Sequence, residues 1–280
     1  MAETLVCPAA WERLLVCTDG SEESEGAVSQ ALALGRACGS RVYVLQVLEI
    51  IPEFEAVAPE LRVRLVAEVR GQLAAIEARG RELGVAAETR VRHGIAVHGT
   101  ILAEAEDIRP QLILMGRYGR TGLARLLMGS VTARVIGFSP VNVLVVPRGA
   151  AVAFGKILVA ADGSPDSATA FREALAMAQR AGGQLLAVCV AREEGEFIEA
   201  QKVIQQLVDA ANREGMSLQG SVPAGQQPDD AIVQTALRNN VDLIVMGSRG
   251  RTGLARLLMG SVTERVIGQA PCPVLVVKKG

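Results

Sequence analysis

The sequence predicts an α/β protein made of two tandem copies of one domain, each an open parallel sheet flanked by helices. Two observations carry this. Short runs of Val, Leu and Ile alternate with longer segments of helical periodicity, the alternation of a parallel sheet and its covering helices. The pattern also occurs twice. RLLVCTDGS (Arg13 to Ser21) returns as KILVAADGS (Lys156 to Ser164) at an offset of 143, and MGRYGRTGLARLLMGSVTARVIG (Met115 to Gly137) returns as MGSRGRTGLARLLMGSVTERVIG (Met246 to Gly268) at an offset of 131. The twelve-residue difference between the offsets places an insertion in the first half, most simply around Ile51 to Arg70.

In the first half the apolar runs predict strands over Arg13 to Thr18, Arg41 to Glu49, Glu88 to His93, Leu112 to Gly116 and Asn142 to Val146, with helices between them. The second half repeats them over Lys156 to Ala161, Gln184 to Ala191, Ser217 to Val222, Leu243 to Met246 and Val274 to Lys278. PRGAAVAFG (Pro147 to Gly155) is rich in Pro, Gly and small residues, which sets domain boundaries at 1–149 and 153–280.

With 280 residues, half of them apolar and 3% aromatic, each half is long enough to bury a core. The 29 Lys and Arg balance 30 Asp and Glu, so no global field recruits nucleic acid or an anionic membrane. No stretch reaches membrane-span length, and the start lacks the basic and apolar regions of a signal peptide. The five cysteines form no C-x-x-C pair and several sit in apolar runs, which reads as buried thiols in a reducing compartment and places the chain in the cytoplasm.

Gly116 closes an apolar strand, Gly119 follows, and Gly129-Ser130 opens the helical run VTARVI, so the spacing is G-x2-G-x9-G-S; Gly247, Gly250 and Gly260-Ser261 repeat it. Glycines at a strand end let the backbone come close to a ligand, and a helix N-terminus beyond them presents free N–H donors and the positive end of the dipole. Hydrogen bonds to a charged group contribute about 1.5 to 3 kcal/mol each, so a few of them hold a phosphate. The spacing serves equally for plain N-caps at Ser130 and Ser261, the latter with Glu264 in a capping-box pattern. It is neither a Walker A loop nor a G-x-G-x-x-G fingerprint. Asp19 and Asp162 follow the first strand of each half and precede Gly-Ser, where a carboxylate accepts bonds from a ribose or from the backbone of an Asp-Gly turn. Placed at the carboxyl ends of adjacent strands, each Asp and its glycine loop meet in the crevice where open α/β sheets bind ligands.

CTDGS, AADGS, the two LMG-to-VTxRV stretches and APCPVLVVK resemble the universal stress protein family, over nearly the whole chain and in tandem. The resemblance implies an adenine nucleotide alpha hydrolase-like fold, sheets of order 3-2-1-4-5, and ATP as ligand, with Mg2+ entering on its phosphates. Carried over, the adenine and ribose contacts are Thr18, Asp19 and Val47, matched by Ala161, Asp162 and Val190, with Met115 and Met246 at the strand ends. The phosphate loops are Gly116, Gly119, Gly129, Ser130, Val131 and Thr132, matched by Gly247, Gly250, Gly260, Ser261, Val262 and Thr263. The resemblance also implies that the last strands, Val141 to Val146 and Pro273 to Lys278, pair with each other, as edge strands rich in Val and Leu invite.

Three functions follow from these residues: a nucleotide-reading stress regulator, a slow ATPase or phosphotransferase, and a scaffold that binds no nucleotide. No general base stands out, since His93 and His98 have no counterparts in the second half. Of the loop arginines, Arg117, Arg120, Arg125, Arg249, Arg251 and Arg256, most are expected to face solvent or a partner. The partner set is an adenine nucleotide and the other half of the chain, with a homodimer and a downstream protein left open, and without nucleic acid, membrane or a dedicated metal site. Ala133 stands where the second half has Glu264, so the first site is expected to hold a triphosphate at least as well as the second.

Overall fold

The computed structural model describes residues 5–50, 59–119, 128–251 and 259–279. In the first half β1 (Arg13–Thr18), β2 (Arg41–Glu49), β3 (Ala87–Gly94), β4 (Leu112–Gly116) and β5 (Asn142–Val146) alternate with α1 (Glu22–Cys38), α2 (Pro59–Glu82), α3 (Val97–Ile108) and α4 (Ser130–Phe138). In the second half β6 (Lys156–Ala160), β7 (Gln184–Val188), β8 (Leu218–Ser221), β9 (Leu243–Gly247) and β10 (Val274–Val277) alternate with α5 (Pro165–Ala181), α6 (Phe197–Arg213), α7 (Pro228–Asn239) and α8 (Ser261–Gln269). The predicted insertion falls partly outside the described residues; the part described belongs to α2, 24 residues long against 17 for α6. Strand β7 stops at Val188 rather than Ala191, which leaves the ladder to make an isolated bridge to Ala224.

The strands lie in the order β3-β2-β1-β4-β5-β10-β9-β6-β7-β8. Each half keeps its parallel 3-2-1-4-5 sheet, and the two merge where β5 meets β10 antiparallel, with Val145 opposite Val274, Leu144 opposite Leu275 and Val143 opposite Val276. Successive strand residues alternate between faces. One face, with Leu14, Val16, Leu144 and Leu275, is covered by α1, α2, α5 and α6; the other, with Leu15, Cys17, Val143 and Val276, by α3, α4, α7 and α8. Strands buried on both faces account for the unbroken Val, Leu and Ile runs in the sequence.

Side chains lock this seam from both directions. The Arg117 guanidinium donates to Gly268 O at 3.1 Å and to Ala270 O, so the loop after β4 satisfies carbonyls at the end of α8. Lys278 returns the contact, donating to Ile136 O at 2.7 Å at the end of α4, while its N–H donates to Asn142 Oδ1 at 2.9 Å. Burial draws both cations below their ordinary pKa values. Asn142, at the start of β5, thus extends the contact by one side-chain bond.

Five thiols were expected, and the structure corrects this: Cys7 and Cys38 form a disulfide, and Cys17, Cys189 and Cys272 are buried thiols. Cys38 is the last residue of α1, and the N-terminal segment crosses it, a proximity that a separation of 31 residues does not reveal. The disulfide counts against the reducing-compartment reading. Burial raises the Cys17 thiol to about 12 and the Cys189 thiol to about 11. Among the described residues no helix is long and apolar enough to cross a membrane.

Candidate functional site

The DGS motif builds the same turn in both halves. The Asp162 Oδ1 accepts the Ser164 N–H at 2.9 Å, Gly163 takes φ of 80°, and Ser164 caps α5 by accepting the Ser167 N–H at 3.2 Å. In the first half Asp19 Oδ1 accepts the Ser21 N–H at 3.1 Å, Gly20 has φ of 76°, and Ser21 caps α1. A positive φ costs glycine nothing and most other residues strain, which fixes Gly in the motif. The second Asp162 oxygen accepts the Arg251 N–H at 2.8 Å, so one carboxylate ties the end of β6 to the glycine loop.

The loop glycines divide by what surrounds them. A Cβ on Gly116 would lie 2.7 Å from Glu23 O, and one on Gly247 2.8 Å from the Asp166 Cβ, because the first turn of α1 or α5 crosses the strand end there. On Gly119 and Gly250 it would lie 2.7 Å from the Asp19 and Asp162 Oδ2 atoms. At Gly129 and Gly260 the nearest protein atoms stand at 3.4 and 3.5 Å, an ordinary contact. The chain's own packing thus demands glycine at the first two positions of the motif, and not at the third.

The helix starts differ from expectation. Gly129 and Gly260 are the N-caps of α4 and α8 and make no side-chain cap bond, so Ser130 and Ser261 are the first helical residues and the capping box with Glu264 is not formed. Gly129 N–H donates to Arg117 O at 2.9 Å, and the first intrahelical bond runs from Ala133 N–H to Gly129 O at 2.9 Å; Gly260 and Glu264 repeat both bonds. The N–H groups of Ser130, Val131 and Thr132, and of Ser261, Val262 and Thr263, therefore sit where a helix supplies no acceptor. The Thr132 and Thr263 hydroxyls do not face outward: each is buried and donates at 3.1 Å to the carbonyl of Gly116 or Gly247. A serine hydroxyl on the exposed first turn remains for a ligand.

In the second half all these parts line one cavity of about 210 Å3. Ala161, Asp162, Val190 and Met246 line it together with Gly247, Gly250, Gly260, Ser261, Val262 and Thr263. Every second-half residue carried over as an adenine, ribose or phosphate contact lies on its wall. The structure adds residues the sequence reading missed: Ala160, Val188, Pro228 and Ile232 complete an apolar slot, and Arg192 and Glu196 stand at its edge. Ala160 and Val188 belong to ordinary strand runs and carry no polar signal, and Pro228 and Ile232 reach the site only through the packing of α7.

The first-half residues occupy matching places. Thr18 is buried at the end of β1, its hydroxyl 2.9 Å from Ser24 Oγ and accepting the Gly20 N–H at 3.0 Å, and Met115 pairs with Cys17 across β4 and β1. Val47 lies just beyond the last β1–β2 pair, Thr18 with Gln46, and packs on the face shared with Met115. The arginines do not act as a set: Arg117 reaches the other half, Arg249 and Arg251 line the cavity, and Arg120, Arg125 and Arg256 lie outside the described residues. His98 stacks on Phe138 with ring centroids 6.2 Å apart.

The universal stress protein family model matches residues 10–147 and again 153–278. The chain belongs to this family. A universal stress protein of Methanocaldococcus jannaschii is 36% identical over 142 residues, covering 45% of this chain and 83% of that one. One from Mycolicibacterium smegmatis is 26% identical over 95% of this chain and 96% of its own, a tandem-length match. The crystal structure of a universal stress protein from Archaeoglobus fulgidus superposes with a TM-score of 0.73 at 25% identity, over 96% of this chain and 99% of that one. Two family units in one chain account for the doubled DGS turn and glycine loop.

Proposed function

We propose that this universal stress protein binds ATP and acts as a nucleotide-responsive regulator, its two units being residues 1–149 and 153–280. The observation that carries this reading is the second-half cavity, in which an apolar slot ends at three helix N–H groups and an exposed serine. Val190, Val188, Ile232 and Met246 offer an adenine ring apolar contact on the slot side. Ser261, Val262 and Thr263 offer a phosphate the N-terminal donors of α8, with Arg249 and Arg251 adding positive charge. Both Asp162 oxygens already accept backbone N–H groups, so its first task is to hold the loop, and a ribose hydroxyl would share an occupied carboxylate. Mg2+ would come with the phosphates, its hard-oxygen preference needing no protein cage. The cytoplasm is the compartment this reading calls for. Slow hydrolysis and a nucleotide-free scaffold are the competing outcomes.

The test is to purify the full chain, extract bound nucleotide and quantify it per chain, then measure ATP binding and turnover. Bound or titratable adenine nucleotide with negligible turnover supports a regulator. Steady turnover makes it an ATPase, and no binding makes it a scaffold.

A further inference from the structure

We propose that the two units are not equivalent and that one ATP binds per chain, in the second half, because Cys17 and Leu45 narrow the base end of the first cleft; this rests on the nucleotide reading above. The strand register identifies the residues. At one level of the sheet Met246, Ala160, Val188 and Ser221 follow one another across β9, β6, β7 and β8. At the matching level of the first half the row is Met115, Cys17, Leu45 and Arg90, across β4, β1, β2 and β3. Ala160, Val188 and Met246 form the floor of the second-half cavity. Cys17 and Leu45 face the same way, packed with Met115 and Ile101.

Three of the four positions are thus larger in the first half; Cys17 and Leu45 match residues that line the second-half cavity, and Arg90 matches Ser221, which is not part of that lining. Arg90 lies 5.0 Å from the centroid of the Tyr43 ring and donates to Glu104, to Glu88 at 2.9 Å and to Asp107 at 3.0 Å. Glu104 is buried and is also held by Arg92 at 2.6 Å. These contacts hold the Arg90 guanidinium against Tyr43 and α3, whereas Ser221 turns its hydroxyl onto Ala187 O. Well-packed interiors resist added volume, so the extra atoms exclude ligand rather than repack around it.

Charge acts in the same direction. Arg192 and Arg249 at the edge of the second cavity correspond to Glu49 and Tyr118 in the first half. One substitution reverses a charge and the other removes a cation, which outweighs the single extra carboxylate of Glu264 in α8. The order of affinities expected from Ala133 and Glu264 alone is therefore reversed.

The experiment is calorimetric titration of the full chain with ATP and Mg2+. The wild type is expected to bind one ATP per chain. Gly260→Val, which adds a branched side chain to the cavity lining at the start of α8, should abolish binding, and Gly129→Val should leave it unchanged. The double variant Cys17→Ala, Leu45→Val should bring in a second site. The reciprocal variant Ala160→Cys, Val188→Leu should weaken the second-half site by about tenfold or more with its thermal midpoint kept, which decides the matter if the first pair fails to fold. Two wild-type sites of similar affinity, or loss of binding in Gly129→Val alone, overturn the inference while the nucleotide reading stands. No binding in the wild type or in any variant overturns both.

Discussion

At the outer edge of the first half, Glu104 sits 5% exposed on α3 between Arg90 and Arg92 of β3; at the matching place in the second half, α7 carries Thr235, whose hydroxyl only donates back to Ala231 O at 2.7 Å. The two units share strand order, caps and glycine loops, yet one braces its third strand with buried charge and the other leaves it neutral. Backbone geometry has been kept in both copies, and side-chain lining has been free to diverge. The loop from Gly119 to Thr132 is identical in sequence to that from Gly250 to Thr263, while the floors beneath the loops differ.

The largest expected effect tests that bracing. Glu104→Ala leaves Arg90 and Arg92 with lost partners beside the core. Removing one member of a buried ion pair costs up to about 3 to 5 kcal/mol, and because the arginines are 20% and 44% exposed we expect about 2 to 3 kcal/mol. Thr235→Ala is expected to cost less than about 0.5 kcal/mol, since a hydroxyl bonded to its own helix contributes little. Urea unfolding of both variants checks this. Equal losses would show that the two edges are supported alike.

Next in size is the tie between strand and loop. Asp162→Ala removes two charge-assisted bonds to backbone N–H groups and frees the loop that carries Gly250. ATP affinity is expected to fall by about 2 kcal/mol, roughly thirtyfold. Asp19→Ala should leave ATP affinity unchanged if the second half alone is loaded. A fall caused by Asp19→Ala and not by Asp162→Ala would exchange the roles of the halves.

The seam gives a third comparison. Arg117 and Lys278 each cross from one unit to a helix end of the other, but Arg117 satisfies two carbonyls through a planar fork, and Lys278 makes one short bond and a longer one to Gly137 O at 3.5 Å. Arg117→Ala is expected to lower stability by about 1 to 2 kcal/mol and Lys278→Ala by about 1 kcal/mol. Thermal midpoints of the two variants decide it. A larger effect for Lys278 would mean that the ladder between β5 and β10 depends more on its end than on its flank.

Much of this was legible in the residues, and for identifiable reasons. Strands buried on both faces announce themselves as unbroken apolar runs, so β1, β2, β4 and β5 were bounded to the residue. The DGS turn and the glycine loop were legible because φ and close approach admit few residue types. What escaped was anything set by packing between distant segments. The cavity floor at Ala160 and Val188 looks like any strand. The Cys7–Cys38 bond depends on where the N-terminal segment crosses α1. Of the two readings open for Ser261, the capping box fails because Ser and Glu three apart form one only when the Ser is the cap, and here Gly260 takes that place.

That one-residue shift sets the smallest effect. Glu264 is the fourth residue of α8, in its first turn, beyond the three N–H groups offered to a ligand, and its carboxylate shares the positive end of the helix with any phosphate bound there. The matching residue in α4 is Ala133. A negative side chain in the first turn stabilises the empty helix and repels an arriving anion, so removing it should act in opposite senses on the two quantities. Glu264→Ala is expected to lower stability and raise ATP affinity, each by about 0.3 to 1 kcal/mol, because a partly exposed charge at a helix end is screened. Raising salt should shrink both changes together. Ala133→Glu makes the reverse test in the first half, where it should stabilise α4 by a similar amount without altering ATP binding if that cleft stays closed. Calorimetric titrations at low and high salt, paired with thermal melts, separate the two senses. Weaker ATP binding in Glu264→Ala would place that carboxylate on the ligand's side of the site, as a contact or a Mg2+ partner rather than a competing charge.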